Sequence, residues 1–288
     1  MKAVKAPTTH AATLLATLLA AAPLTLPAAV LEYEPFDYPD AAGSGLNGLN
    51  GGTGWGGNAF TDGDALPTIA ATTTSLAYPT GVPLTPAGGR IATTADATNN
   101  PAYRLLGTTM SLAEDGGVFY SSALFRSSAV AGELASVLFD RDSSTIRWYY
   151  GIDNTGRFSV AVDPSNTAQR AYSTTTTVAN TTYLLVAMLR NNTGPGGNDE
   201  VFLKIFQEGS PIVEPATDAD WDLTANGNSG VVLNRVRLSF TNAAGQSNEF
   251  DELRIGTTFA DVTGIPEPAT AALVAGAALA LARRRRRG

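Results

Sequence analysis

Three carboxylates crowd into four positions late in the chain, Glu249-Phe250-Asp251-Glu252. Glycoside hydrolysis requires a pair of carboxyl groups flanking the scissile sugar bond, one as acid and the other as base or nucleophile. On a strand, that chemistry calls for Glu-x-Asp-x-x-Glu, or the same pattern without one residue. Here Glu249 and Asp251 fall on one face by alternation, Glu252 points to the other, and no further glutamate follows at the required place. The run therefore reads as carboxylates that satisfy local backbone groups or pair with Arg254 or Arg235. Histidine chemistry is excluded for the body, because the one histidine, His10, lies in an N-terminal segment with the features of a leader. No cysteine occurs, which removes disulfides, thiolate metal sites and cysteine nucleophiles. Calcium needs only oxygen ligands, and Asp140–Asp142, Asp153–Asn154 and Asp218–Asp222 can supply them, but none reproduces a spaced loop motif. No cofactor is expected beyond that option of a structural calcium.

A second constellation stands at the C-terminus: Pro266, Glu267 and Pro268, then the run from Ala269 to Ala282 in which only Thr270 is polar, then Arg283, Arg284, Arg285, Arg286 and Arg287. Fourteen helical residues rise about 21 Å, short of the ~30 Å hydrocarbon core. A core helix of that length would have little left to pack against after the Gly264/Pro266/Pro268 break, and no globular interior accepts five adjacent like charges. Arginine stems snorkel to headgroups and extend a short span, and arginines favour the cytoplasmic side. The prolines hold the peptide before the helix extended and open to a protease.

The order of Ile265-Pro266-Glu267-Pro268-Ala269-Thr270, a short apolar helix and an arginine cluster resembles the PEP-CTERM sorting signal of Gram-negative bacteria. That resemblance implies transient anchoring in the inner membrane, cleavage near the motif by an exosortase, and delivery of the body to the cell surface or extracellular matrix. A permanent single-helix anchor is the other reading of the same residues.

The opposite end fits export. Residues 1–30 carry Lys2 and Lys5, an apolar stretch over residues 11–22 and a small-residue region ending near Ala28-Ala29, the pattern of a signal peptide handled by the secretion machinery. Without the two leader lysines, the five tail arginines and Glu267, the body has 12 basic and 25 acidic residues, a balance of −13 against −7 for the whole chain. Such a body repels nucleic acid and anionic membrane surfaces.

Between the ends, residues 31–264 read as β structure. The segment from Leu31 to Pro39 predicts an edge strand, demoted from any central place by Pro35. Residues 43–57 are too glycine-rich for regular structure, with Leu46, Leu49 and Trp55 as anchors to a core; no phosphate-cradling lysine follows. Strands are predicted at residues 66–71, 90–94, 103–106, 118–126, 133–139, 146–152, 157–162, 183–189, 201–206 and 232–240. Asp153-Asn154-Thr155-Gly156 marks a hairpin, residues 183–189 a central strand buried on both faces, and residues 215–223 the best short helix candidate. About a dozen short strands in one stretch point to a single β-sandwich.

The segments Tyr183–Arg190, Val201–Phe206 and Phe250-Asp-Glu-Leu-Arg-Ile-Gly-Thr-Thr-Phe-Ala-Asp-Val262 resemble the closing strands of laminin-G-like, concanavalin-A-like jelly rolls. That resemblance implies an all-β antiparallel jelly roll whose relatives bind glycans or calcium, cleave β-glucans or serve as structural modules. The combined expectation is an exported, exosortase-processed, non-catalytic surface protein associated with exopolysaccharide. A secreted polysaccharide-degrading enzyme of the same fold is the alternative.

Overall fold

The computed structural model describes residues 30–41, 43–62, 69–78, 86–93, 100–111, 117–130, 134–140, 146–163, 165–191, 199–227, 232–241 and 246–265. The predicted leader, the Pro266-Glu267-Pro268 motif, the apolar run and Arg283 to Arg287 lie outside them. No helix among the described residues is long and apolar enough to cross a membrane.

The strands in chain order are β1 (Glu32–Glu34), β2 (Thr61–Asp62), β3 (Ile69–Thr72), β4 (Arg90–Thr93) and β5 (Asn100–Ser111). Then come β6 (Val118–Ser127), β7 (Leu134–Asp140), β8 (Ile146–Ile152), β9 (Arg157–Val162) and β10 (Arg170–Thr176). The last are β11 (Thr182–Arg190), β12 (Asp199–Gln207), β13 (Leu223–Gly227), β14 (Val232–Thr241) and β15 (Asn248–Gly256), followed by the short helix α1 (Phe259–Thr263). They form two sheets whose named pairings are all antiparallel. The first runs β13-β12-β11-β6-β15-β4-β3, with β1 also on β15; the second runs β10-β9-β8-β7-β14-β5-β2. The chain is thus an all-β, two-sheet antiparallel sandwich.

Alternation decides which side chains meet between the sheets. Trp148 and Tyr150 of β8, Phe158 and Val160 of β9, and Val236, Leu238 and Phe240 of β14 face Phe119 and Phe125 of β6, Leu185 and Leu189 of β11, and Phe250 of β15. Edge-to-face pairs cross the interface at Phe240–Phe250, 5.1 Å apart, Phe158–Tyr183 at 5.0 Å and Phe119–Phe139 at 5.6 Å. β11 is buried on both faces as expected, because Leu184 and Val186 point away from this core into a second cluster. Leu76, Tyr78, Leu124, Phe206, Ile212, Phe259 and Val262 complete that cluster, so a strap and α1 cover the outer face of the first sheet.

The glycine-rich loop is irregular and anchored as its sequence predicts. Leu46 and Trp55 are buried, and the Trp55 indole Nε1 donates to the Tyr33 carbonyl at 3.1 Å. The loop is squeezed between neighbours: a Cβ on Gly54 (φ +89°) would lie 1.9 Å from the Leu31 carbonyl oxygen, and one on Gly107 1.8 Å from that of Gly54. Only glycine permits both approaches. Beneath the loop is a buried ion pair. Arg104 of β5 donates from Nε to the Asn58 carbonyl (2.7 Å) and from NH2 to Asn50 Oδ1 and the Gly51 carbonyl (both 2.8 Å), while NH1 donates to Glu34. Glu34 also accepts from the Phe36 N–H (2.8 Å) and the Tyr38 hydroxyl (2.9 Å). The guanidinium lies 4.5 Å from the Trp55 ring centroid and 5.0 Å from that of Phe60.

Three expectations are corrected. The edge strand is only three residues long, because Phe36 turns left-handed (φ 51°) just after Pro35. Residues 215–223 hold a single 3-10 turn, Asp218–Asp220, instead of a helix. The closing segment does not stay extended to Val262: it ends at Gly256, and Thr258 caps α1 by accepting from the Asp261 N–H while Asp261 accepts from the Thr258 N–H at 2.8 Å. This five-residue helix is too short for amphipathic periodicity to reveal it.

Candidate functional site

The acidic run of β15 occupies a break in the sheet. Glu249 and Phe250 pair with β4, residues 253–255 pair with β1, and between them the register against β6 slips. Glu252 takes φ 54° at this bulge. Inward Phe250 and Leu253 are consequently three residues apart, and Asp251 and Glu252 both leave the core face. The expected splitting of these two carboxylates onto opposite faces does not hold, since alternation fails at a bulge. Asp251 accepts from the Leu76 N–H (2.8 Å), the Ser75 hydroxyl and the Glu252 N–H (2.8 Å). Glu252 accepts from the Tyr33 hydroxyl (3.0 Å), the Ala87 N–H (2.8 Å) and Arg254 (2.7 Å). Glu249 pairs with Arg90 (2.7 Å) and Arg126 (2.5 Å). All three are buried, and burial first, with the Glu252 charge beside it, pushes the Asp251 carboxyl up to about 8. These groups bridge β1, β15 and the approach to β4, and each carboxylate is taken up by donors of the chain itself. The pairing with Arg254 occurs as expected; Arg235 is engaged elsewhere.

The oxygen ligands proposed for calcium are committed to cations of the chain itself. Asp140 accepts from Arg235 (2.6 Å) and Arg237 (2.7 Å), Asp153 from Arg157 (2.8 Å), Asp218 from Arg190 (2.7 Å) and Asp222 from Lys204 (3.0 Å). Among the described residues no group of three acidic or histidine side chains converges as a metal site; Asp142 lies outside them.

Two other surfaces arise from the second sheet. Its outer face carries one continuous cross-strand row, Tyr103, Arg237, Leu138, Tyr149, Ala161 and Arg170, read across β5, β14, β7, β8, β9 and β10. Arg235 and Arg237 stack on Tyr103, at 4.6 and 5.8 Å.

The other surface is a cleft of about 650 Å³ where the two sheet edges part. At one end the 3-10 turn Thr167–Gln169 meets β13, with Gln169 packed on Gly227. Towards Leu223 and Thr176 the edges separate. Phe158, Tyr183, Leu223 and Ile205 form the floor. One wall is the end of β10, where the register against β9 slips between Tyr172 and Thr176 and Ser173 leaves the ladder, its hydroxyl accepting from the Phe158 N–H (3.0 Å). The other wall is Gln207, Ser210 and Asp222. The volume is that of a small-ligand pocket. Sequence reading missed this cleft because the two edges that border it carry no strand signal: β10 is serine- and threonine-rich, and β13, which brings Leu223 to the floor, is Leu-Thr-Ala-Asn-Gly.

No family model matches the chain, and no curated protein matches it. Among solved structures the sandwich is similar to an endo-β-1,4-glucuronan lyase from the fungus Trichoderma reesei, with 12% identity, TM-score 0.42, and 68% of this chain and 89% of that one covered. It is similar to a PL-14 alginate lyase from Aplysia kurodai, with 9% identity, TM-score 0.46 and coverage of 66% and 87%. It is also similar to the exoplasmic/lumenal domain of VIP36 bound to Ca2+ and Man3GlcNAc, with 8% identity, TM-score 0.38 and coverage of 67% and 85%. The expectation that the chain is not an enzyme is corrected here, since polysaccharide lyases stand among these structures beside a glycan-bound domain. That expectation weighed only carboxylate pairs, calcium, histidine and cysteine, whereas tyrosine and lysine also serve as general acids and bases.

Proposed function

We propose that this chain is an exported envelope protein whose β-sandwich, of the concanavalin-A-like jelly-roll kind, associates with extracellular glycan after exosortase removes its tail. One observation carries the reading. The sandwich closes on itself between Leu31, whose N–H donates to the Ile255 carbonyl at 2.8 Å, and Ile265, which packs on the outer cluster just past the α1 cap. Every described strand falls inside the body bounded by the two predicted processing segments. Losing the leader and everything after Ile265 removes none of the described strands and no residue of the described hydrophobic clusters.

In this reading the leader directs secretion, residues 269–282 hold the chain in the inner membrane with Arg283 to Arg287 on the cytoplasmic side, and Pro266-Glu267-Pro268 presents the cleavage site. The acidic body stays clear of the anionic membrane surface. Deleting residues 266–288 in the exporting host is expected to abolish the membrane-bound precursor, with the body recovered directly in the soluble envelope fraction. Unchanged membrane retention and release on fractionation would remove the tail from the account.

A further inference from the structure

We propose that the cleft between β10 and the β12/β13 edge is a binding site for a neutral, hydroxyl-rich glycan chain. The inference rests on the glycan-associated reading of the body and supplies its site and ligand class. A pyranose ring offers apolar C–H faces and a rim of hydroxyls, so its site needs an apolar floor and neutral donors and acceptors at the walls.

The cleft has that division. Phe158, Tyr183 and Leu223 belong to the main core and hold the floor rigid, and Ile205 packs against them from the partly exposed side. Tyr183 accepts from the Val178 N–H at 2.9 Å, which fixes its ring and leaves its own O–H to donate. Along the wall, Thr174, Thr175 and Thr176 are exposed as one run of hydroxyls, and the Gln207 amide faces them from β12. The register slip in β10 creates this wall, because it lifts residues 173–175 out of the ladder and turns them along the opening.

The lining also selects against charge. It includes no lysine or arginine, and its one acid, Asp222, is occupied by Lys204 Nζ (3.0 Å) and the Ile205 N–H (2.8 Å). A uronate or sulfate group entering the cleft would find the bordering cations already paired, Lys204 with Asp222 and Arg157, which stacks on Tyr172 at 4.4 Å, with Asp153, in a body already at −13. Neutral hexoses are therefore expected to bind and acidic ones to bind less well.

The full-length protein is titrated calorimetrically with laminarihexaose, cellohexaose and mannohexaose, and with oligoguluronate as the charged counterpart. At least one neutral hexaose is expected to bind, more tightly than oligoguluronate. The triple variant Thr174→Val, Thr176→Val, Gln207→Ala, all at exposed positions, is expected to weaken that binding about tenfold or more, as the loss of one or two hydrogen bonds would. Ile205→Trp, which fills the floor, is expected to abolish it. Absence of neutral-glycan binding, a preference for oligoguluronate, or full affinity in the folded triple variant would each overturn the proposal. Binding that survives the triple variant leaves the body glycan-associated but places the site elsewhere. Loss of tail-dependent retention, by contrast, strikes the export reading and leaves this cleft untouched.

Discussion

Arg104→Met is expected to destabilise the protein by about 3–5 kcal/mol, the cost of leaving a buried charge without its partner. Arg104 and Glu34 are both essentially inaccessible, and four of the five guanidinium N–H groups are used inside the fold. Methionine keeps most of the stem volume but abandons Glu34, Asn50 and the carbonyls of Gly51 and Asn58. Burial already pushes the Glu34 carboxyl up against the pull of Arg104, and removing the cation leaves burial opposed only by the Phe36 N–H and the Tyr38 hydroxyl. The deficit should therefore shrink as pH falls, because protonated Glu34 carries no charge to bury. Urea unfolding reads the loss directly, and Glu34→Gln/Arg104→Met should recover part of it. A loss below about 1 kcal/mol, typical of an exposed pair, would mean that the pair does not organise the glycine-rich loop.

The second large effect concerns Asp251. Its carboxyl is raised from 3.8 in the ordinary case to about 8 by burial and by adjacent Glu252. A raised acid binds its proton more tightly in the folded state, so its contribution to stability is complete below about 4 and is lost as pH rises through about 8. At about 1.4 kcal/mol per unit, that window amounts to roughly 6 kcal/mol as an upper scale. Stability measured from pH 5 to pH 9 is expected to fall steadily in the wild type. Asp251→Asn should abolish most of that slope. The amide cannot accept from both the Leu76 and Glu252 N–H groups, which adds a pH-independent penalty of about 1–3 kcal/mol. The slope is therefore the diagnostic quantity. An equal slope in wild type and variant would show that Asp251 is ionised in the folded protein.

Much of the sandwich is visible in the sequence where one face of a strand is wet or where both are dry. β8, β9 and β14 alternate cleanly, and β11 is a continuous apolar run because a strap covers the face opposite the core. What the sequence hides is non-local or anti-pattern. In β1 the acids Glu32 and Glu34 are buried while Tyr33 is partly exposed, reversing the usual sense of alternation. Arg104, 70 positions from Glu34, neutralises that carboxylate, and the Gly107 N–H donates to Glu32 at 2.8 Å. The β15 bulge places a glutamate in a left-handed conformation that no local residue type announces. The cleft is hidden for a third reason: one wall is an edge strand of small hydroxyl residues and the other is polar, so neither carries a hydrophobic signal. By contrast, the proposed processing segments are read from ordered tripartite patterns that need no tertiary contact, and they lie outside the described residues.

The central claim is that a folded sandwich is delivered and then separated from a disposable tail. Intact mass spectrometry of the protein released from the exporting host tests it most directly. The account predicts a released species that starts near residue 30 and ends after Ile265 and before the apolar run, with Arg283 to Arg287 absent. A released protein whose mass retains the chain through Gly288 would contradict it.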